Sequence, residues 1–161
     1  GEEDPEALDR FAHAAAQASS TGQQLGVPVI LGSLAHLQLV AGQSALALQT
    51  IEGALGVAEA SDQHLHDAEL YRLRAECFLQ LSERRVEDAE AELRRALEIA
   101  RSQQSRSLEL RTATSLARLW QGRGKHAEAR DLLQPVYDWF SEGFEMPDLL
   151  DAKALLEELR V

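Results

Sequence analysis

The sequence predicts an all-α protein, an α-solenoid built from antiparallel helix pairs and closed by a C-terminal capping helix. Two observations carry this expectation. Ala, Leu, Glu, Arg and Gln dominate the 161 residues, only 5% are aromatic, and 4 are Pro and 10 Gly, a balance that favours helix over sheet. One apolar pattern also recurs: Ala47, Ile51 and Ala54, then Ala89, Leu93 and Ala96, then Ala129, Leu133 and Val136, with copies 42 and then 40 residues apart. Helix pairs repeating at ~34 to 47 residues bury their apolar faces only by stacking on neighbours.

The elements follow in order within one domain spanning 1–161. Residues 5–20 read as an amphipathic helix, in this register the second helix of a repeat whose first helix lies upstream, so the chain is expected to open mid-repeat over 1–27. Repeat one covers 28–66, repeat two 67–106 and repeat three 107–146. Each opens with an A helix, expected over 28–41, 67–81 and 107–121, followed by a B helix that carries the recurring pattern. Pro28 suits a first helical turn, and Gly42 and Gly122 suit C-caps. Ala35, Ala75 and Ala117 stand on the A helices where a partner helix must approach closely. On the second B helix, Ala89, Leu93, Ala96, Leu97 and Ala100 share one face, and Glu90 and Arg94 are placed on the outer one as an i, i+4 ion pair. The cap occupies 147–161, with Leu149, Ala152, Leu156 and Leu159 toward the array and Asp148, Asp151, Glu157 and Glu158 toward water.

Net charge is -11 at pH 7, which argues against sequence-independent attachment to nucleic acid. The charge is uneven: residues 1–71 carry 1 basic and 10 acidic groups, 72–130 carry 13 and 9, and 131–161 carry 2 and 8. The middle is therefore the place to seek a basic face. Cys77 is the single cysteine and Asn is absent, so the chain has neither an intrachain disulfide nor an N-glycosylation acceptor. The chain opens on Gly1, Glu2, Glu3 and Asp4, acidic where a signal peptide is basic, and no apolar run approaches the ~20 residues of a membrane span. A cytoplasmic piece of a longer protein, without membrane contact, is expected.

Chemistry-bearing clusters are sparse. Gly122, Arg123, Gly124, Lys125 and His126 lack the spacing of a phosphate-binding loop and read as an interhelical turn. His64, His66, Asp67 and Glu69 have metal-ligand chemistry, but residues two apart on a helix do not converge, so a solvated helix entrance is the plainer reading. Cys77 among Leu73, Phe78 and Leu81 reads as an inert core thiol. Trp120 takes a core position, while Trp139, Phe140 and Phe144 are expected to seal the last B helix against the cap.

The spacing resembles the tetratricopeptide repeat (TPR), in which a small residue on helix A is followed twelve positions later by Ala on helix B, then by a large apolar residue and a second Ala at plus four and plus seven. Ala35, Ala47, Ile51 and Ala54 match in repeat one, and Ala117, Ala129, Leu133 and Val136 in repeat three, with Leu116 and Trp120 in the helix A pattern. Repeat two needs two extra residues in its turn. The family's Pro closing helix B is absent, Glu59, Arg101 and Ser141 standing near that place, and the longer repeats imply longer B helices. The stretches 67–74, 91–101 and 107–120, with the aromatic tail 135–144, further resemble the C-terminal TPR arrays of large bacterial regulators that join a cyclase, kinase or DNA-binding module to a signalling ATPase.

That resemblance implies a right-handed superhelix whose A helices line a concave groove. Carried over position by position, the groove residues are Val29, Gly32 and His36, then Glu69, Arg72 and Glu76, then Arg111, Thr114 and Arg118. His36, Arg72, Glu76, Arg111, Thr114 and Arg118 are the candidate partner-binding set. Two guanidinium groups at i and i+7, with Arg72 beside them, could clamp a carboxylate, a phosphate or an acidic peptide, or pair with Glu69, Glu76 and Glu109. The implied function is a non-catalytic scaffold or sensor without cofactor, binding a protein or peptide partner or domains of its own parent. The alternatives are an inducer-sensing array, like that of the maltose-type transcriptional activators, and self-association into a homodimer.

Overall fold

A computed structural model describes residues 26–82 and 85–160 of the chain. The helix predicted over 5–20 lies outside the described residues. Among those described, seven α-helices follow one another: α1 (Val27–Val40), α2 (Ser44–Ser61), α3 (Asp67–Leu81), α4 (Val86–Ser102), α5 (Arg106–Gly122), α6 (His126–Asp138) and α7 (Pro147–Glu158), with a 3-10 turn over His64–His66 ahead of α3. The predicted A helices correspond to α1, α3 and α5, and the B helices to α2, α4 and α6. The expected extra length is present in α2 with 18 residues and α4 with 17, but α6 has 13. In repeat three the additional residues go into the connection to α7 instead. α6 tolerates Pro135 in its interior because that position is exposed, leaving the helix carbonyl that lacks a donor facing water.

The chain divides into two compact units, 1–89 and 90–161, with the boundary in α4. In the first, α1 packs on α2, and α3 packs against both. Its core joins Ala35 and Leu39 of α1, Ala47, Ile51 and Ala54 of α2, and Leu70, Leu73 and Cys77 of α3. In the second unit α5 packs on α6, and α7 packs against both. Leu93, Ala96, Leu110, Leu116, Ala117, Ala129, Leu133, Val136, Leu149, Ala152, Leu155, Leu156 and Leu159 are all buried there. Every member of the recurring triplets is buried, as are Ala35, Ala75 and Ala117. The small residues permit close helix approach, and each large one supplies roughly 1.5–3 kcal/mol of burial. Leu155 joins the four apolar residues expected to anchor the cap.

Four connections share one hydrogen-bonded turn. After α1, Gly42 adopts φ 72° and its N–H donates to Leu39 O, while Gln43 N–H donates to Gln38 O at 2.8 Å. After α5, Gly124 at φ 73° donates to Gln121 O and Lys125 to Trp120 O. Both are Schellman endings, in which a left-handed residue lets two N–H groups cap the last carbonyls. Gly122, expected as the cap, is instead the last residue of α5; Gly124 takes the left-handed position because the helix runs one residue further. Asp62 and Gln104 hold the same left-handed position after α2 and α4, where a side chain makes it costlier. The connection after α3 differs: Ser82 is extended, and Arg85 stacks 3.5 Å over the Phe78 ring.

Candidate interaction faces of the A helices

Three of the six candidate residues lie in the first unit. His36 is exposed on α1. Arg72 is buried on α3, its Nε and Nη2 donating to both carboxylate oxygens of Glu69 at 2.9 and 2.7 Å, while Nη1 donates to Glu76. These spacings of three and four residues stack the groups on one helix face, and a guanidinium fork matches a carboxylate in two-point contact. Burial alone would ease the proton off Arg72, but the hydrogen bonds and charges of Glu69 and Glu76 outweigh it and hold the guanidinium more firmly charged than usual. Beside this triad, burial first and the Glu76 charge second push the Cys77 thiol up to about 12. Cys77 is a core group, as its apolar neighbours predict.

The 3-10 turn accounts for the histidine pair. His64 Nδ1 lies 2.8 Å from Asp67 Oδ2, and that hydrogen bond, reinforced by the Asp67 charge, raises the imidazole pKa above 6.5. His66 lies over α1 at Gly32, where an added Cβ would meet the imidazole Cδ2 and the Leu70 side chain at 3.2 Å. Gly32, expected to line a groove, is buried beneath that ring instead. The two imidazoles thus serve the entrance to α3, one as a charge partner and one as packing.

The other three candidates share α5 in the second unit. Thr114 is buried, its hydroxyl donating to Leu110 O at 2.8 Å. Arg118 donates through Nη2 to Asp151 of α7, and Arg111 Nε lies 3.6 Å from Asp148 of the same helix. One turn further, Gln121 Nε2 donates to Glu158 at 2.9 Å. Asp148, Asp151 and Glu158, expected to face water, thus meet the basic face of α5, whose arginines hold the chain's own cap, while the expected pairing with Glu69 and Glu76 is made by Arg72. Only the packing of α7 on α5 brings these residues together, at separations of 33 and 37.

Two further polar clamps escape a reading by helix face. Glu109 of α5 is buried and accepts from Arg101 of α4 and Arg106 at 2.9 and 2.7 Å. Glu90, placed on the outer face by its spacing from Arg94, is largely covered; it accepts from Arg94 at 2.6 Å, from the Trp120 indole at 3.0 Å and from Arg123 at 2.9 Å. Burial would raise its pKa, but the hydrogen bonds from Arg94 and Trp120, with the charges of Arg94 and Lys125, outweigh that and lower it. Trp120 is accordingly half-buried at a polar clamp rather than in the core, with Arg94 5.4 Å over its ring. The partners that lie outside each acid's own helix, Arg101, Trp120 and Arg123, are 8 to 33 residues away in sequence.

The terminal aromatics also depart from expectation. Tyr137 and Phe144 form a tilted pair at 5.9 Å and Trp139 and Phe140 an edge-on pair at 5.2 Å, but Trp139 and Phe144 remain exposed. α6 ends at Asp138, so Trp139, Phe140 and Phe144 fall in the connection to α7.

No family model matches the chain, and no curated protein matches it. Solved structures do. A single-substitution form of the nearly identical TPR-like repeats of a Podosopora anserina kinesin light chain is 20% identical over 96% of this chain and 76% of that one, with a TM-score of 0.67. A second structure of those repeats is 19% identical, covering 98% of this chain and 87% of that one, with a TM-score of 0.59. The fold is TPR-like. Among the described residues, no helix is long and apolar enough to cross a membrane.

Proposed function

We propose that this TPR-like domain is a non-catalytic protein-interaction module, serving as a scaffold or sensor segment of a cytoplasmic, bacterial multidomain signalling protein. The observation that carries the reading is the repeat architecture itself: buried Ala and Leu positions recur at 42 and 40 residues and build helix pairs matching TPR-like repeats over nearly the whole chain. The polar groups at the candidate positions support it. Arg72, Glu76, Arg111 and Arg118 are engaged in ion pairs that order helices, which is the use of charge in a rigid display surface. Arg111 and Arg118 stay partly exposed beside their partners, and His36 is exposed, so these A-helix positions remain the proposed contact set. The resemblance to C-terminal arrays of bacterial regulators supports the signalling context.

The test is titration of the folded chain, immobilised, against cyclase, kinase and ATPase modules of such regulators and against fractionated extract. A saturable protein partner displaced by the soluble chain is the expected result. Absence of any saturable protein partner across that set overturns the reading.

A further inference from the structure

The connection between α6 and α7 and the first turn of α7 expose a run of large apolar side chains that the packing does not use. Trp139 and Met146 are each 57% exposed, Leu150 52% and Phe144 43%, all within residues 139–150. Several contacts hold the run in place. Phe144 leans on Tyr137 and Trp139 on Phe140, and the Arg106 guanidinium sits 5.1 Å from the Trp139 ring centre. Gly143 at φ 76° turns the chain so that Met146 N–H donates to its carbonyl at 2.8 Å, and Leu150 follows Met146 one helical turn later, its N–H donating to Met146 O. Exposed Trp, Phe and Met grouped on an ordered segment are the composition of interface centres. Trp in particular anchors binding energy.

The charge around this run selects the partner. From Asp131 to Ala152 the chain carries six acidic side chains and no basic one. Asp148 and Asp151 are committed to Arg111 and Arg118, and Asp138 accepts from Gln134. Glu142 and Glu145 are exposed, between Trp139 and Met146 in sequence, and have no partner among the described residues. Resting on the interaction-module reading, we infer that this segment docks a basic amphipathic segment of a partner protein, whose large apolar side chains cover Trp139, Phe144, Met146 and Leu150 while its Lys or Arg groups meet Glu142 and Glu145. A second copy of the chain fits poorly, because it would bring the same carboxylates against themselves at a net charge of -11.

The test uses the whole chain and a synthetic helical peptide with a Leu/Phe stripe and a Lys face, followed by fluorescence anisotropy. Two controls accompany it: a charge-matched peptide with the stripe scrambled, and one with Glu in place of Lys. Saturable binding of the amphipathic basic peptide alone is expected. Trp139→Ala weakens it about tenfold or more, as for an interface anchor. Glu142→Gln with Glu145→Gln weakens it several-fold and flattens its dependence on salt between ~50 and ~300 mM. These positions are exposed, and circular dichroism verifies that the variants fold. Equal binding of the scrambled peptide, unchanged binding by both variants, or a concentration-dependent dimer abolished by Trp139→Ala would overturn the assignment. A protein partner that binds the chain regardless of these substitutions overturns the assignment while leaving the interaction-module reading standing.

Discussion

Helices α3 and α5 carry the same register positions, 42 residues apart, and neutralise their charges in opposite ways. On α3 the positions are Glu69, Arg72 and Glu76, which pair with one another along a single helix and are largely buried. On α5 they are Arg111, Thr114 and Arg118, whose charges are met by Asp148 and Asp151 of α7 and stay partly exposed. The first arrangement is local and needs only helix geometry. The second needs another helix in place, so the second unit uses charge to hold elements together. Glu90 and Glu109 extend that pattern by tying α4 to α5. The first unit relies more on apolar packing: α1 carries no Asp, Glu, Lys or Arg, and α2 carries two glutamates.

Removing one charge from each arrangement separates them. Arg72→Ala strands buried Glu69 and is expected to cost about 3–5 kcal/mol, read as a fall in the urea midpoint by circular dichroism; a loss under 1 kcal/mol would show the triad to be dispensable. Glu90→Gln removes the charge accepting from Arg94, Arg123 and Trp120 and is expected to cost about 2 kcal/mol. Because the Glu90 pKa is lowered by folding, its contribution is complete above the ordinary carboxylate value of 4.5 and lost as pH falls through the lower folded value. The difference between wild type and Glu90→Gln therefore shrinks in acid, which midpoints at pH 7 and pH 3 would reveal.

Arg118→Ala is expected to cost no more than about 1 kcal/mol, since the pair with Asp151 is half exposed. A double-mutant cycle with Asp151→Ala should give a coupling that fades with added salt; coupling insensitive to salt would place the pair in a drier setting. The smallest effect belongs to His64. Its pKa is raised by Asp67, so the protonated form stabilises the fold below pH ~6.5 and the contribution is lost as pH rises through the higher folded value. Asp67→Asn should flatten that dependence, and a dependence unchanged in the variant would assign it elsewhere. Cys77 gives a reference for core integrity: with its thiol buried, a disulfide-exchange reagent should label it only at the rate of opening, so Arg72→Ala should speed labelling far more than Arg118→Ala.

Helix order, the buried triplets and the close-approach alanines were legible in the residues, because a 3.6-residue period and a recurring spacing report which face of a helix is apolar without reference to anything distant. Gly42 was legible as a turn, since only glycine takes a left-handed position without cost. The inert Cys77 followed from its own apolar neighbours. Which charges meet between helices was decided by the tertiary structure alone. Asp148 and Asp151 look like a solvated helix face until α7 packs on α5, and Glu90 looks like an outer-face partner of Arg94 until Trp120 and Arg123 arrive from 30 and 33 residues away. Likewise, where α6 stops determines whether Trp139 and Phe144 are core or surface, and its end at Asp138 puts them on the surface. Periodicity is a property of one helix, whereas a charge pair or an exposed ring depends on the distance between helices, which no local pattern encodes.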